Sequence, residues 1–257
     1  MKTCALFLSL ILSLTAFASD PQTLNIGMMS GWAPFMTITP KGEYSGFDVD
    51  VAHELGSKLN RKIKIIDLGS LAPLFIALQK NKIDMVFSGL DITQQRQKEY
   101  SMVAYTGTLM DSFSLLFWEK IPTDFKSLAD FSKLPSPTVC VEPGSTSEKF
   151  LLTFPAVKPK HLGSVMDMVM DIKYAKSQAM IIEPLMAPRL LQKFPALKEL
   201  RIPLPDSFKI HGMGIALKKD APELTKQVTE AIKKLRDDGT MARLEKKWQL
   251  QHNEVKP

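Results

Sequence analysis

The sequence predicts an α/β protein made of two units of the same kind. Three observations point there. Short apolar runs of strand length alternate with stretches whose apolar residues recur at helical spacing. The alternation runs from Leu24 to about Thr93 and starts again near Asp111. A last strand and a long amphipathic helix follow, as if the chain returns to its first unit.

Residues 24–29 (LNIGMM) read as a buried strand running into the loop Ser30-Gly31-Trp32-Ala33-Pro34-Phe35. Residues 41–46 form a turn. Asp48 then caps a helix on which Val51, Ala52, Leu55 and Leu59 share one face. Residues 63–66 are a second strand. Ser70 starts another helix, with Pro73 tolerated in its first turn and Leu74, Phe75 and Leu78 facing inward. A third strand spans 83–88, followed by Gly89 and a helix that begins at Thr93. Such alternation implies a parallel sheet.

The second unit repeats the pattern. Strands are expected at 112–118, 138–141 and 179–182, with a short helix at 127–131 and a longer one at 165–176. Ser145 opens a helix with Glu148 three residues on, the pattern of a capping box. Residues 213–217 form the returning strand. Asp220 with Glu223 caps the long helix, whose Leu224, Val228, Ile232 and Leu235 are inward. Asp237-Asp238-Gly239 stops it, and a last helix carries Leu244 and Trp248. Residues 135–137 (PSP) and 202–205 (IPLP) read as surface loops.

The N-terminus has a different character. Lys2 is followed by an apolar run over residues 5–17, and Ala16-Phe17-Ala18 offers small residues at a cleavage position. Residues 1–18 therefore read as a secretory signal peptide cut after Ala18, and export to the periplasm is expected. The run is too short for a typical spanning helix of about 20 residues. Cys4 leaves with the signal, which leaves Cys140 alone and no internal disulfide. The fold must rest on its cores, which 257 residues at 45% hydrophobic content allow. The net charge of +6 comes from scattered lysines with no basic tract among aromatics, so nucleic-acid binding has no support. His53, His161, His211 and His252 are not spaced as ligands, and Cys140 has no evident base nearby. No metal site, cofactor motif or catalytic nucleophile is expected.

Five short motifs fall in register. The stretch from Ile83-Asp84 to Gly89-Leu90-Asp91-Ile92-Thr93-Gln94-Gln95-Arg96 resembles the core motif of the bacterial polar amino-acid-binding proteins of ABC transporters. Trp32-Ala33-Pro34-Phe35, Gly46-Phe47-Asp48-Val49-Asp50, Gly144-Ser145-Thr146 and Arg236-Asp237-Asp238-Gly239-Thr240 resemble four more of that family's marks, in the same order. The resemblance implies a two-lobe periplasmic-binding-protein fold of type II. Each lobe is then a mostly parallel sheet flanked by helices. Residues 19–110 and 211–257 form lobe 1 and residues 111–210 form lobe 2, joined by extended crossings near 108–112 and 208–213. It further implies a monomer that closes on a free amino acid and delivers it to a membrane permease. Arginine-binding members are the most alike.

An amino acid presents a carboxylate, an ammonium and a side chain. For the carboxylate, Arg96 supplies a bidentate guanidinium in the first turn after the Thr93 cap. The turn Gly144-Ser145-Thr146 offers a second helix start from the other lobe. For the ammonium, the family places an Asp after a second-lobe strand; here Glu183 stands there, followed by Pro184. Asp91 occupies a position where many members carry Ser or Thr, and it shares that task. Ser88 and Gly89 complete the same loop. The side-chain pocket draws on Met29, Trp32, Leu71 and Glu142, with Trp32 as a stacking face and Glu142 aimed at a cationic tip. Some binders of basic amino acids carry an acid where this chain has Met29, so the preference for arginine or another basic ligand rests on Glu142. Without it a polar uncharged ligand such as glutamine is favoured. Two other classes stay open on the residues alone. One is an enzyme like the cyclohexadienyl dehydratases, with Glu183 as a general acid. The other is a surface interaction protein of the same fold.

Overall fold

Two five-stranded sheets divide the chain. The computed structural model describes residues 22–107, 109–135 and 137–250. The first run of elements is β1 (Thr23–Met28), β2 (Thr37–Ile38), β3 (Tyr44–Ser45), α1 (Phe47–Leu59), β4 (Lys62–Asp67), α2 (Leu71–Gln79), β5 (Met85–Val86), α3 (Gln94–Glu99) and β6 (Tyr100–Ala104). After β7 (Leu109–Met110) the chain enters the second lobe. That lobe holds β8 (Ser112–Trp118), β9 (Thr138–Val141), α4 (Thr146–Leu151), β10 (Lys158–His161), α5 (Val165–Lys173), β11 (Ala179–Ile182), α6 (Ala187–Lys193) and β12 (Leu197–Pro203). Then β13 (Ile210–His211) leads back to β14 (Gly214–Lys218), α7 (Pro222–Asp237) and α8 (Thr240–Trp248).

The strand orders are β4-β1-β5-β14-β6 and β10-β9-β11-β8-β12. In each sheet the fourth strand runs against its neighbours: β14 against β5 and β6, and β8 against β11 and β12. The mostly parallel layers expected are thus found, with one strand of the five reversed in each sheet. The reason is connectivity. A parallel neighbour needs a long crossover, and β8 and β14 follow almost directly on β7 and β13. Those two short strands pair antiparallel, Met110 with Ile210 and Leu109 with His211, and make the two-strand link between lobes.

Central strands are buried on both faces. Leu24, Ile26, Met28 and Val86 fill the middle of the first sheet, and Leu115, Val139, Val141 and Ile181 that of the second. Over the first sheet, α1 lays Val51, Ala52 and Leu55 against α7, whose Val228, Ile232 and Leu235 face it. The last helix, α8, packs on both through Met241 and Leu244. Among the described residues no helix is long and apolar enough to cross a membrane.

Several local expectations need correction. Gly46, at φ 154°, is the N-cap of α1, not Asp48. A Cβ at Gly46 would lie 2.0 Å from the Phe35 carbonyl oxygen, so only glycine lets the chain pass there. Asp48 is freed for another task described below. The long helix starts from Ala221 with Pro222 in its first turn, so Asp220 is not its cap. Residues 202–203 are not loop but the end of β12, with Ile202 and Leu204 buried. The helix expected to reach residue 176 stops at Lys173, and Ala175 turns left-handed at φ 54°. The third strand, expected over 83–88, shortens to two residues. The expected signal peptide, Cys4, His252, Thr108 and Ser136 lie outside the described residues.

Candidate functional site

Loops that leave the ends of β1, β5, β9 and β11 meet between the two lobes, the usual ligand position in α/β sheets. They enclose a cavity of about 20 Å³, room for one water molecule. Met29, Trp32, Leu71, Ser88, Gly89, Leu90, Asp91, Arg96, Glu142, Ser145, Thr146 and Glu183 line it. Eleven of the twelve predicted site residues are in that wall. Thr93 is not. Its hydroxyl accepts from the Arg96 N–H at 3.1 Å, which caps α3 and sets Arg96 in place from behind. Leu90 is the residue that the sequence reading missed; its position between Gly89 and Asp91 was the available signal.

The loop after β5 is pinned from two sides. The Gly89 N–H donates to Asp48 Oδ2 at 2.7 Å, and Tyr105 Oη donates to Asp48 Oδ1 at 2.9 Å. Both carboxylate oxygens of this fully buried residue are used, and burial still pushes its pKa up to about 7. Main-chain bonds from Ile92 to Gly212 and from Gly214 to Leu90 tie the same loop to the start of β14. Gly89 has φ 57°, where glycine is favoured, and packs on the Phe35 ring. Along that loop, Arg96 Nη1 donates to the Asp91 carbonyl at 3.0 Å, and its guanidinium lies 5.8 Å from the Phe75 ring centre.

The second lobe contributes a turn and two acids, Glu142 and Glu183. Ser145 Oγ donates to the Glu142 carbonyl at 2.7 Å and accepts from the Glu148 N–H at 3.0 Å. The capping box is shifted by one residue, because the Glu148 carboxylate reaches the Gly144 N–H at 2.6 Å and not that of Ser145. Helices α3 and α4 are six residues each, so the dipole pull expected from both is that of barely more than one turn. The charged side chains carry the site.

Those side chains are Asp91, Arg96, Glu142 and Glu183, exposed by only 4, 7, 3 and 7%. Asp91 Oδ1, Glu142 Oε1, Glu183 Oε2 and Ser88 Oγ are buried without a hydrogen-bond partner. Buried polar atoms are nearly always paired, so four orphans around one cavity are unusual. Glu142 is pushed up to about 9, first by burial and then by Glu183 and Asp91, with Arg96 opposing. Glu183 is pushed up to about 8, again by burial first and then by Asp91. Burial raises Asp91 as well, against the pull of Arg96 and a Thr146 hydroxyl from the other lobe. Three acids thus surround one guanidinium with too few partners. Among the described residues no group of His, Cys, Asp or Glu has the arrangement of a metal site.

The lobes are shut over this cavity. Lys149 Nζ donates to Gln95 Oε1 across the cleft at 2.7 Å. Arg189 of α6 donates to the Trp248 carbonyl of α8 at 2.7 Å and lies over its indole, 5.8 Å from the ring centre. A Cβ on Gly163 would sit 3.8 Å from that of Ser70.

The fold has close counterparts. The chain is 31% identical to the histidine-binding periplasmic protein of Salmonella typhimurium, over 96% of this chain and 97% of that one. It is 30% identical to a probable ABC transporter arginine-binding protein, ArtJ, of Chlamydia trachomatis, over 90% and 88% of the two chains. An ancestral arginine-binding protein solved with arginine bound superposes with a TM-score of 0.78 at 25% identity, covering 88% of this chain and 98% of that one. Residues 24–251 match the bacterial extracellular solute-binding proteins, family 3, and the chain belongs to that family.

Proposed function

We propose that the chain is exported, that its signal peptide is cut after Ala18, and that the mature protein captures a basic amino acid, arginine first, in the periplasm. Residues 19–110 and 211–257 act as one lobe and 111–210 as the other, turning about the β7–β13 pair. The loaded, closed monomer then serves the permease of an ABC importer. Relatives named for arginine and histidine support this class of ligand.

One observation carries the choice of ligand. Asp91, Glu142 and Glu183 each hold a buried oxygen without a partner, and Arg96 is the cation that faces them. A zwitterionic amino acid with a neutral side chain brings one cation to three acids. Arginine or lysine brings two. Arg96 takes the ligand carboxylate through two parallel N–H bonds. Glu183 and Asp91 accept from the ammonium. Glu142 and the Trp32 face receive the cationic tip. Contacts from both lobes favour the closed form by the ligand's differential affinity for it.

The test is calorimetric titration of the ligand-stripped mature protein with each standard amino acid. Heat with arginine and lysine, and little with glutamine, is the expected result. Heat with none of them, or with neutral amino acids alone, overturns the reading.

A further inference from the structure

The charges inside the cleft do not balance even with a basic amino acid present. Asp91 comes from the loop after β5, Glu142 from the turn after β9 and Glu183 from the end of β11. Facing them, the loop after β1 and the start of α2 present Met29, Trp32 and Leu71, which carry no charge. From α3 comes Arg96. From α4, Lys149 is turned to Gln95 and Glu148 to Gly144 and His161, so neither neutralises the cluster. Behind Gly89, Asp48 and Tyr105 are occupied with each other. Arginine would bring one carboxylate for Arg96 and two cations for the three acids. One acid is left without a counter-charge in a cleft that the shut lobes close off from solvent.

We propose that closure around a basic amino acid takes up one proton, held by the Asp91–Glu142–Glu183 cluster. The proposal rests on the basic-ligand reading above. Its sign follows from the geometry. A cavity of about 20 Å³ cannot admit an amino acid, so the ligand enters with the lobes apart. Asp91 is then on one lobe and Glu142 and Glu183 are on the other, all facing water and ionised at neutral pH, near the ordinary carboxyl pKa of about 4. Closing removes that water and brings the three together. An unmatched carboxylate in such a place neutralises instead of staying charged. The upward shifts of Glu142 and Glu183 in the closed form run the same way. The proton belongs to the coupled cluster as a whole and not to one named oxygen.

Linkage makes this measurable. If one proton enters with the ligand, affinity for arginine falls about tenfold for each pH unit between pH 6 and 8. The direct test titrates wild-type, ligand-stripped mature protein with arginine at pH 7 in phosphate, imidazole and Tris, which differ in ionisation enthalpy. The observed heat should vary with the buffer by an amount equal to about one proton taken up per arginine. Glu183→Gln leaves Asp91 for the ammonium and Glu142 for the cationic tip, so two acids meet two cations and the buffer dependence should fall to near zero. Arginine binding with no buffer dependence, or with protons released, overturns the proposal and leaves the ligand reading standing. Uptake that persists unchanged in Glu183→Gln overturns the role of the cluster. No binding of arginine in any buffer overturns both.

Discussion

Asp48 and Glu142 are both acids at the C-terminal ends of strands or the starts of helices, and both are almost wholly buried, at 0 and 3% exposure. Their surroundings differ. Asp48 spends one oxygen on the Gly89 N–H and the other on Tyr105. Glu142 leaves Oε1 with nothing. A third buried acid, Asp171 on α5, follows Asp48: Lys160 Nζ donates to it at 2.5 Å and Cys140 Sγ at 3.2 Å. Burial, then, does not separate structural acids from those of a site. Missing partners do. A finished network rigidifies the lobe that contains it, whereas an unfinished one is complete only with a guest.

The difference can be broken at its strongest point first. Arg96→Ala should cost about 2–5 kcal/mol of arginine affinity, roughly 30- to several-thousand-fold in Kd, because it strands the ligand carboxylate in the closed cleft. Calorimetry reads the loss, and a melting curve should show the lobes still folded. Affinity near that of the wild type would remove Arg96 from the site.

Next comes Asp48. Asp48→Ala leaves the Gly89 N–H and the Tyr105 hydroxyl buried without an acceptor, at about 1–3 kcal/mol each in urea unfolding. Asp48→Asn should be far milder, since an amide oxygen accepts from Gly89 while its NH2 donates to Tyr105. Asp48 and Asp171 tilt the pH profile in opposite directions. Asp48 has its pKa raised to about 7, so the folded state holds a proton that the unfolded chain has lost. Its contribution to stability falls as pH rises from about 4 to 7. Asp48→Asn should flatten that fall.

The smallest effect is expected at Asp171. Burial pushes its carboxyl up, but hydrogen bonds from Lys160 and Cys140, with the Ser177 hydroxyl nearby, outweigh that and hold it below the usual value. Its stabilisation is present above the unfolded carboxyl pKa and is lost as pH falls through the folded value. Asp171→Asn should cost about 1 kcal/mol at pH 7 and almost nothing in acid. A variant that binds arginine less well while folding normally would mean that this network also reaches the site.

Legibility in the sequence followed position in the sheet. Residues 112–118, 138–141 and 179–182 were read with both ends right, and all three strands lie inside the second sheet, where apolar runs are continuous. Within the two five-stranded sheets, the strands that escaped notice, β6, β10 and β12, are all edges. Lys158 and His161 of β10 and Lys198 and Arg201 of β12 are exposed, and Pro203 ends β12 where no further ladder bond is needed. The wall of the cleft was legible because Gly89 to Arg96 and Glu142 to Thr146 are short, contiguous motifs. Asp48 was misread because its partner is 41 residues away, a contact that no local spacing reveals. The convergence of Asp91, Glu142 and Glu183 was hidden for the same reason.

The shut cleft has a kinetic consequence. With Lys149 joined to Gln95 and Arg189 to Trp248 across it, a bound amino acid has no side exit. Departure must wait for the lobes to separate, so the frequency of opening is a ceiling on the off-rate of every ligand. Two amino acids of very different affinity would leave no faster than that ceiling. Whatever parts Arg189 from Trp248 and Lys149 from Gln95 acts as the release signal.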